Sequence, residues 1–253
     1  MNLPKLLPMV RVAVLSDIHG NLPAMEAVLA ELEDAAPDQI VVCGDVASGP
    51  MPAETIDRLM SLRSVRFVRG NADRELVAAF DSAHQTESEG PGADWCAAQI
   101  SRAQRDLLAS FETTVLVEIE GLGRVLFCHG SPRSDEEMMT SATPEARLLS
   151  FVADAEADVV VCGHTHIPFD REVGGIRVMN PSSVGMPYGE PGAFWSVLST
   201  GVEMRRTEYD RAAAAARIRK SGWPDAEEFA AGNVLSVPSV EEAMSFFRSR
   251  GGP

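Results

Sequence analysis

The sequence has few cysteines, no long hydrophobic run and a shortage of positive charge, and each absence removes a class of protein. Its four cysteines, Cys43, Cys96, Cys128 and Cys162, include no C-x-x-C pair. Three of them sit in Val/Leu-rich segments, which predicts buried free thiols in a reducing cytoplasm rather than a disulfide framework. No apolar run reaches the roughly 18–20 residues that a bilayer-crossing helix needs. The apolar stretch Met1–Ser16 is interrupted by Pro4, Pro8 and Arg11 and has no small-residue cleavage site after it. It reads as a short tail and then a buried strand, not as a secretory leader. Lys and Arg total 22 against 37 Asp and Glu, a net charge of −15. Such a chain repels a phosphate backbone at long range, which argues against bulk nucleic-acid binding. A small phosphorylated substrate stays compatible if divalent cations supply local positive charge. Internal repeats and long linkers are missing as well.

What is present suits a globular chain. Hydrophobic residues make up 45% and charged residues 23%, enough apolar surface for a core to offset the entropy of ordering. Val10–Leu15 reads as a buried strand. A helix follows, capped by Asn21 and tolerating Pro23 in its first turn, with Met25, Val28, Leu29 and Leu32 on one face. Ile40–Cys43 is the next strand, Ile56, Leu59 and Met60 mark a helix, and Val65–Arg69 is a third strand. That β-α-β-α-β order predicts parallel strands with helices on the sheet faces. Asp81–Ala93 reads as a polar loop and Trp95–Phe111 as one helix. Strands are predicted at Thr114–Ile119 and Arg124–Cys128, and a helix at Glu145–Asp154. Further strands at Asp158–Cys162, Phe169–Val173, Ile176–Met179, Ala193–Leu198 and Val202–Glu208 make the second half look like a second sheet packed on the first. From Tyr209 to Phe247 the pattern is helical, broken at Trp223-Pro224 and Val237-Pro238. One compact unit over residues 1–208 is expected, with a helical insertion at about 81–111, and a helical extension at 209–253 packed on it.

Ligand-type side chains fall where apolar runs should end. Five places share this grammar: Leu15 to Gly20, Val42 to Asp45, Val68 to Asn71, Phe127 to Gly130 and Val161 to His166. In an open α/β sheet, ligands bind just outside the carboxyl ends of the strands. Five such ends converging would gather oxygens from Asp17, Asp45 and Asn71 and imidazoles from His19, His129, His164 and His166. Only His84 among the histidines lies elsewhere. Seven donors exceed the four of a tetrahedral zinc and suit two borderline divalent ions. Two ions roughly 3.5–4 Å apart can clamp a phosphoryl group and activate water between them. One carboxylate must bridge them, and Asp45 is the candidate because it ends a central strand. Gly44, Gly70, Gly130 and Gly163 permit tight turns and close approach of backbone to an anion.

In order, the motifs are D-x-H at Asp17–His19, G-D-x-x-x-G at Gly44–Gly49, G-N-x-D at Gly70–Asp73, H-G at His129-Gly130 and G-H-x-H at Gly163–His166. This set resembles the signature of the calcineurin-like metallophosphoesterases. Ser131-Pro132-Arg133, Asn180–Gly185 and the helical tail are similar to a bacterial diadenosine-tetraphosphatase-like branch of that superfamily. The resemblance implies an α/β fold: a four-layer αββα sandwich of two mixed sheets flanked by helices, with a helical C-terminal extension. It implies Asp17, His19, Asp45 and His166 around one divalent ion and Asp45, Asn71, His129 and His164 around a second. Manganese, iron, nickel, cobalt and zinc are all open. A hydroxide bridging the ions would attack phosphorus in line, with Asp17, Asp45, Asn71 and His129 around the reacting centre and the Asn71 amide offsetting charge on the phosphoryl oxygens. The implied function is a cytoplasmic metal-dependent phosphoric ester hydrolase. Its substrate would be a small phosphorylated molecule, with nucleotides, dinucleoside polyphosphates and phosphoproteins open, as is a homo-oligomer.

One position departs from the pattern. Many members carry histidine at the third place of G-N-x-[D/E], where it protonates the leaving group, and this chain has Ala72. General acid catalysis is worth about 10²–10⁴-fold, so its loss should penalise alkyl esters more than aryl esters or phosphoanhydrides. Asp73 then lacks its imidazole partner and reads as a cap for the following helix. Asn71, Arg74 and Arg133 are the candidate substrate-binding residues, each arginine weighed against a salt bridge. His84 could supply acid from the nearby loop. A catalytically weak protein-binding scaffold on the same fold is the alternative function.

Overall fold

In the computed structural model, which describes residues 10–82 and 91–249, two five-stranded sheets share a buried interface. The chain starts with β1 (Val12–Leu15), α1 (Leu22–Ala35), β2 (Gln39–Val42), α2 (Pro52–Met60) and β3 (Val65–Phe67), the three strands pairing in parallel. Asn21 opens α1 by accepting the Ala24 N–H at 3.3 Å, with proline in the first turn. Alternation along each strand decides which layer a side chain enters. Ala13, Leu15, Ile40 and Val42 face the helices, packing with Met25, Val28 and Leu29 of α1 and Ile56 and Leu59 of α2. Val12, Val14 and Val41 turn the other way and meet Val115, Val125, Phe127, Val159 and Val161 of the second sheet. Burial on both faces is why these strands read as unbroken apolar runs.

Three helices follow: α3 (Asn71–Ser82), α4 (Pro91–Gln99) and α5 (Arg102–Ala109). The single helix expected over Trp95–Phe111 is therefore two. Ser101 starts the second one, its hydroxyl taking the Gln104 N–H while Gln104 Oε1 takes the Ser101 N–H at 2.7 Å. This capping box ends the preceding helix although the apolar stripe runs on. Most of the segment expected as a loop over Asp81–Ala93 lies outside the described residues.

The second sheet contains β4 (Val115–Ile119), β5 (Gly123–Phe127), β6 (Val159–Val161), β7 (Phe169–Val173) and β8 (Ile176–Asn180) in the order β4-β5-β6-β8-β7. Its outer face is covered by α6 (Glu145–Val152), whose Leu148, Phe151 and Val152 pack with Val160, Phe169 and Val178. The last two strands, β9 (Ala193–Leu198) and β10 (Val202–Thr207), do not join it. They form a hairpin that returns to the first sheet, β9 antiparallel to β1, giving the order β10-β9-β1-β2-β3. The layers thus run helix, sheet, sheet, helix, the α/β sandwich that the resemblance implies. Two C-terminal helices, α7 (Arg211–Arg219) and α8 (Ala226–Phe229), the latter continued by a π-helical stretch at Ala230–Leu235, pack through Ala215, Ile218, Phe229 and Val234 on the α1 side. The last helix, α9 (Val240–Ser249), sits apart, its Ala243, Met244 and Phe247 against Ile167. No described helix is long and apolar enough to cross a membrane. All four cysteines are buried and free.

Candidate metal centre

The loops after β1, β2, β3, β5 and β6 carry the seven candidate donors and bond to one another. The Asp17 N–H donates to Gly44 O at 3.0 Å, His19 N–H to Asp45 O at 2.9 Å, and Gly163 N–H to His129 O at 2.8 Å. These ties hold an uncommon backbone. Asp17 (φ 55°), His19 (49°), Asp45 (55°), His164 (67°) and His166 (55°) all sit in the left-handed region. Residues with a Cβ persist there only where their surroundings over-determine them, a pattern typical of functional sites. Glycine serves this packing. A Cβ on Gly70 would run into Asp45 Oδ1, and one on Gly163 into Ser16 Oγ. At these two positions glycine makes room for the donor loops themselves, a role beyond the expected approach to an anion.

Two donor groups result. Ligand atoms of Asp17, His19 and His166 lie within 4.8 Å of one another, as do those of Asp45, His129 and His164. Asp45 stands between them, its Oδ2 3.7 Å from His19 Nε2 and 3.4 Å from His129 Nε2. Its Oδ1 accepts the Ala72 N–H at 2.9 Å. Asn71 joins the second group with Oδ1 3.1 Å from His129 Nε2. The structure therefore brings all seven predicted donors to one place.

Ring orientation is fixed from behind. Nδ1 lies 3.3 Å from Ser48 O in His19, 2.7 Å from Cys43 O in His129 and 2.8 Å from Met186 O in His166. A carbonyl can only accept, so Nδ1 carries the proton and Nε2 turns toward the centre. His19 Nε2 and His166 Nε2 are 3.2 Å apart. His166 Nε2 is also 3.2 Å from Asp17 Oδ1, and against the effect of burial that carboxylate raises the imidazole pKa, so a proton or a cation satisfies this cluster of donors. Nitrogen and oxygen donors without sulfur fit a borderline divalent ion.

The electrostatics agree. Burial works against the charge of Asp45, but the imidazoles of His129, His19 and His164 hold its carboxyl well below the ordinary range. Burial also opposes a charged His129, yet Asp45 and then Asp17 push it up to about 10. Burial and the neighbouring His129 push His164 down to about 4. The carboxylates thus draw positive charge inward, and a proton on His129 competes with a metal ion for the same nitrogen.

The remaining candidates are placed differently. Both oxygens of buried Asp73 are taken up by backbone: the N–H groups of Asp45, Val46 and Gly70, each at 2.9 Å. It caps the turn into α3 as expected and also clamps the loop that carries Asp45. Burial and the Asp45 charge push Asp73 up to about 7. Arg74 pairs with Asp135 at 2.9 Å and Glu136 at 2.7 Å. Arg133 pairs with Glu137 at 2.7 Å and lies over the Phe151 ring. Both guanidiniums are engaged by carboxylates, the salt-bridge alternative weighed for them. His84 lies outside the described residues. Sequence reasoning passed over Arg69, which lines a cavity beside His129, and Tyr188, whose ring stacks on His166 at 5.7 Å. For Arg69 a signal exists: a basic residue directly before Gly70-Asn71 at a strand end.

Comparison with known proteins places these features. The model of the calcineurin-like phosphoesterase superfamily domain matches residues 10–201. Phosphodiesterase YfcE of Escherichia coli K12 is 28% identical over 209 residues, which cover 77% of this chain and 90% of that protein. The uncharacterized protein MJ0912 of Methanocaldococcus jannaschii is 27% identical over 236 residues, 85% and 94% of the two chains. A metallophosphoesterase from Sphaerobacter thermophilus shares the fold with a TM-score of 0.72 at 24% identity, over 90% of this chain and 98% of that one.

Proposed function

The chain belongs to the calcineurin-like phosphoesterase superfamily, and from that premise we propose that it is a dinuclear metal-dependent phosphoric ester hydrolase. The observation that carries this reading is Asp45 Oδ2, which faces His19 Nε2 at 3.7 Å and His129 Nε2 at 3.4 Å, one from each donor group. A carboxylate oxygen shared by two donor sets is what a bridged pair of ions requires. In this reading Asp17, His19, Asp45 and His166 hold one ion, and Asp45, Asn71, His129 and His164 hold the other. Divalent ions bound there, from manganese, iron, nickel, cobalt or zinc, supply Lewis acidity and lower the pKa of water.

The chain's own residues position and exclude. Asp17 is held by the His164 N–H at 3.1 Å and by the Ser16 hydroxyl at 2.5 Å. Backbone carbonyls keep three imidazoles turned inward. With Oδ1 committed to the second donor group and one Nδ2 hydrogen directed to Glu75 Oε1 at 3.5 Å, the Asn71 amide has its other Nδ2 hydrogen to offer a phosphoryl oxygen. Position 72 offers no proton to a leaving group, which favours phosphoanhydrides and aryl esters over alkyl ones. A small phosphorylated substrate and a reducing cytoplasm complete the proposal, the latter supported by the four buried free thiols.

Elemental analysis of reloaded protein tests it. About two ions per chain are expected, in line with a two-metal site. Asp45→Asn should lower that count and abolish turnover of an aryl phosphate with the far-UV spectrum unchanged. One ion or none in the native protein, or near-native activity in Asp45→Asn, refutes the reading.

A further inference from the structure

The cavity beside His129 encloses about 290 Å³ and has Arg69, Arg133 and Asp135 in its wall, a size at the small end of ligand pockets. Two of those three charges are already satisfied within the protein. Arg133 reaches Glu137 through Nε at 3.0 Å and Nη2 at 2.7 Å, and the Ser150 carbonyl through Nη1 at 3.0 Å. Asp135 accepts from Arg74 Nε at 2.9 Å. Burial works to raise the Asp135 carboxyl, and Arg74, with Arg69 at longer range, holds it below its ordinary range.

Arg69 differs from both. Its backbone N–H donates to Glu112 O at 2.7 Å. Its guanidinium makes no hydrogen bond or ion pair with any described residue, and its Nε is buried without an acceptor. A buried donor of a charged group left unmatched is costly, and native structures rarely keep one without a reason. The planar fork of a guanidinium is shaped for phosphate or carboxylate oxygens. In a chain of net charge −15, this unmatched cation is not part of a general basic surface.

We propose that Arg69 binds a second anionic group of the substrate, beside the phosphoryl group held over Asp45, Asn71 and His129. The preferred substrates then carry two linked anions, as a phosphoanhydride does, rather than one isolated phosphoryl group. This rests on the hydrolase reading above.

The test is binding at fixed free Zn²⁺, measured by calorimetry in native protein, Arg69→Gln and Arg69→Lys. The probes are methylenediphosphonate, with two linked anions, and methylphosphonate, with one. Arg69→Gln should weaken methylenediphosphonate by about tenfold or more, the scale of a lost charge-assisted hydrogen bond, and methylphosphonate far less. Arg69→Lys should recover part of the difference. No loss, or equal loss for both probes, overturns the proposal. Should Arg69→Gln fail to fold, nitrogen NMR of native protein decides. A shift of the Arg69 Nε–H signal on adding methylenediphosphonate but not methylphosphonate supports the site, and no shift overturns it. Turnover of an aryl monoester is followed alongside. A silent enzyme with the selective binding loss intact removes the hydrolase reading and keeps the anion site. An active enzyme without that selectivity keeps the hydrolase and removes the site.

Discussion

Replacing Asp73 should reveal how far the centre depends on its loops. Asp73→Ala deprives the N–H groups of Asp45, Val46 and Gly70 of their acceptor, each now bonded at 2.9 Å. A buried donor without a partner costs about 1–3 kcal/mol, so alanine costs about 3–9 kcal/mol in all. A whole domain is stable by about 5–15 kcal/mol, so the alanine variant is expected to lose a large share of its stability and to unfold at the upper end of that cost. Asp73→Asn is more informative. Oδ2 serves Asp45 and Gly70 while Oδ1 serves Val46, so an amide with its oxygen at the first place orphans one N–H. The expected cost is about 1–3 kcal/mol, which lowers the melting temperature of a chain this size by about 2–12 °C. One effect opposes this cost. Burial and the Asp45 charge together push Asp73 up to about 7, and asparagine relieves the repulsion between the two carboxylates. A cation on Asp45 relieves it as well, so asparagine should cost more in metal-loaded protein than in metal-free protein. Urea denaturation with and without saturating Mn²⁺ reads both values. A loss under about 0.5 kcal/mol in the loaded protein, below the cost of any orphaned donor, or a larger loss in the metal-free form, would refute the clamp.

Metal loading should release protons, because His129, pushed up to about 10 by Asp45, must surrender its proton to coordinate. Zn²⁺ affinity should therefore rise with pH toward about 10, and calorimetric enthalpies should depend on the buffer's ionisation enthalpy; identical enthalpies in two such buffers would contradict it. The stability sign follows: a raised folded pKa makes the His129 contribution to metal-free protein fully present below the unfolded value of about 6.5 and lost as pH rises through about 10. Single-turnover rates over phosphate esters of graded leaving-group pKa should fall steeply in the native protein and less steeply in Ala72→His. A flat native dependence would reveal an acid at another position, with His84→Ala the next variant to measure.

The donor residues are legible in the sequence because each follows a strand's apolar run, and parallel strand ends gather at one edge. The layers are legible for a related reason: unbroken runs such as Val12–Leu15 signal burial on both faces. Long-range pairing is not. Nothing local in Ala193–Leu198 records that its second partner is β1 of the first sheet rather than a strand of the second. The break at Ser101 is written as a serine and a glutamine three residues on, but the stripe of Ile100, Ala103, Leu107 and Leu108 points toward one helix. The arginines show the limit most clearly. Arg69, Arg74 and Arg133 carry the same side chain, and only the placement of Asp135, Glu136 and Glu137 in space separates the two that are engaged from the one that is not.

Each donor group draws on both sheets. Asp17 and His19 follow β1 and Asp45 follows β2, whereas His129 follows β5 and His164 and His166 follow β6. An ion in either group would staple together the two halves of the chain, joining residues as distant in sequence as Asp17 and His166. Closing a loop of that length carries an entropic cost, and a ligand bound only by the folded chain adds about 4 kcal/mol of stability at a thousandfold excess over its Kd. Extracellular proteins delegate such stapling to disulfides. Here Cys43, Cys96, Cys128 and Cys162 are buried and unpaired, and cations would take their place. A chelator would then act on this chain as a reducing agent acts on a disulfide-stapled one, loosening the seam between the sheets as well as silencing the site.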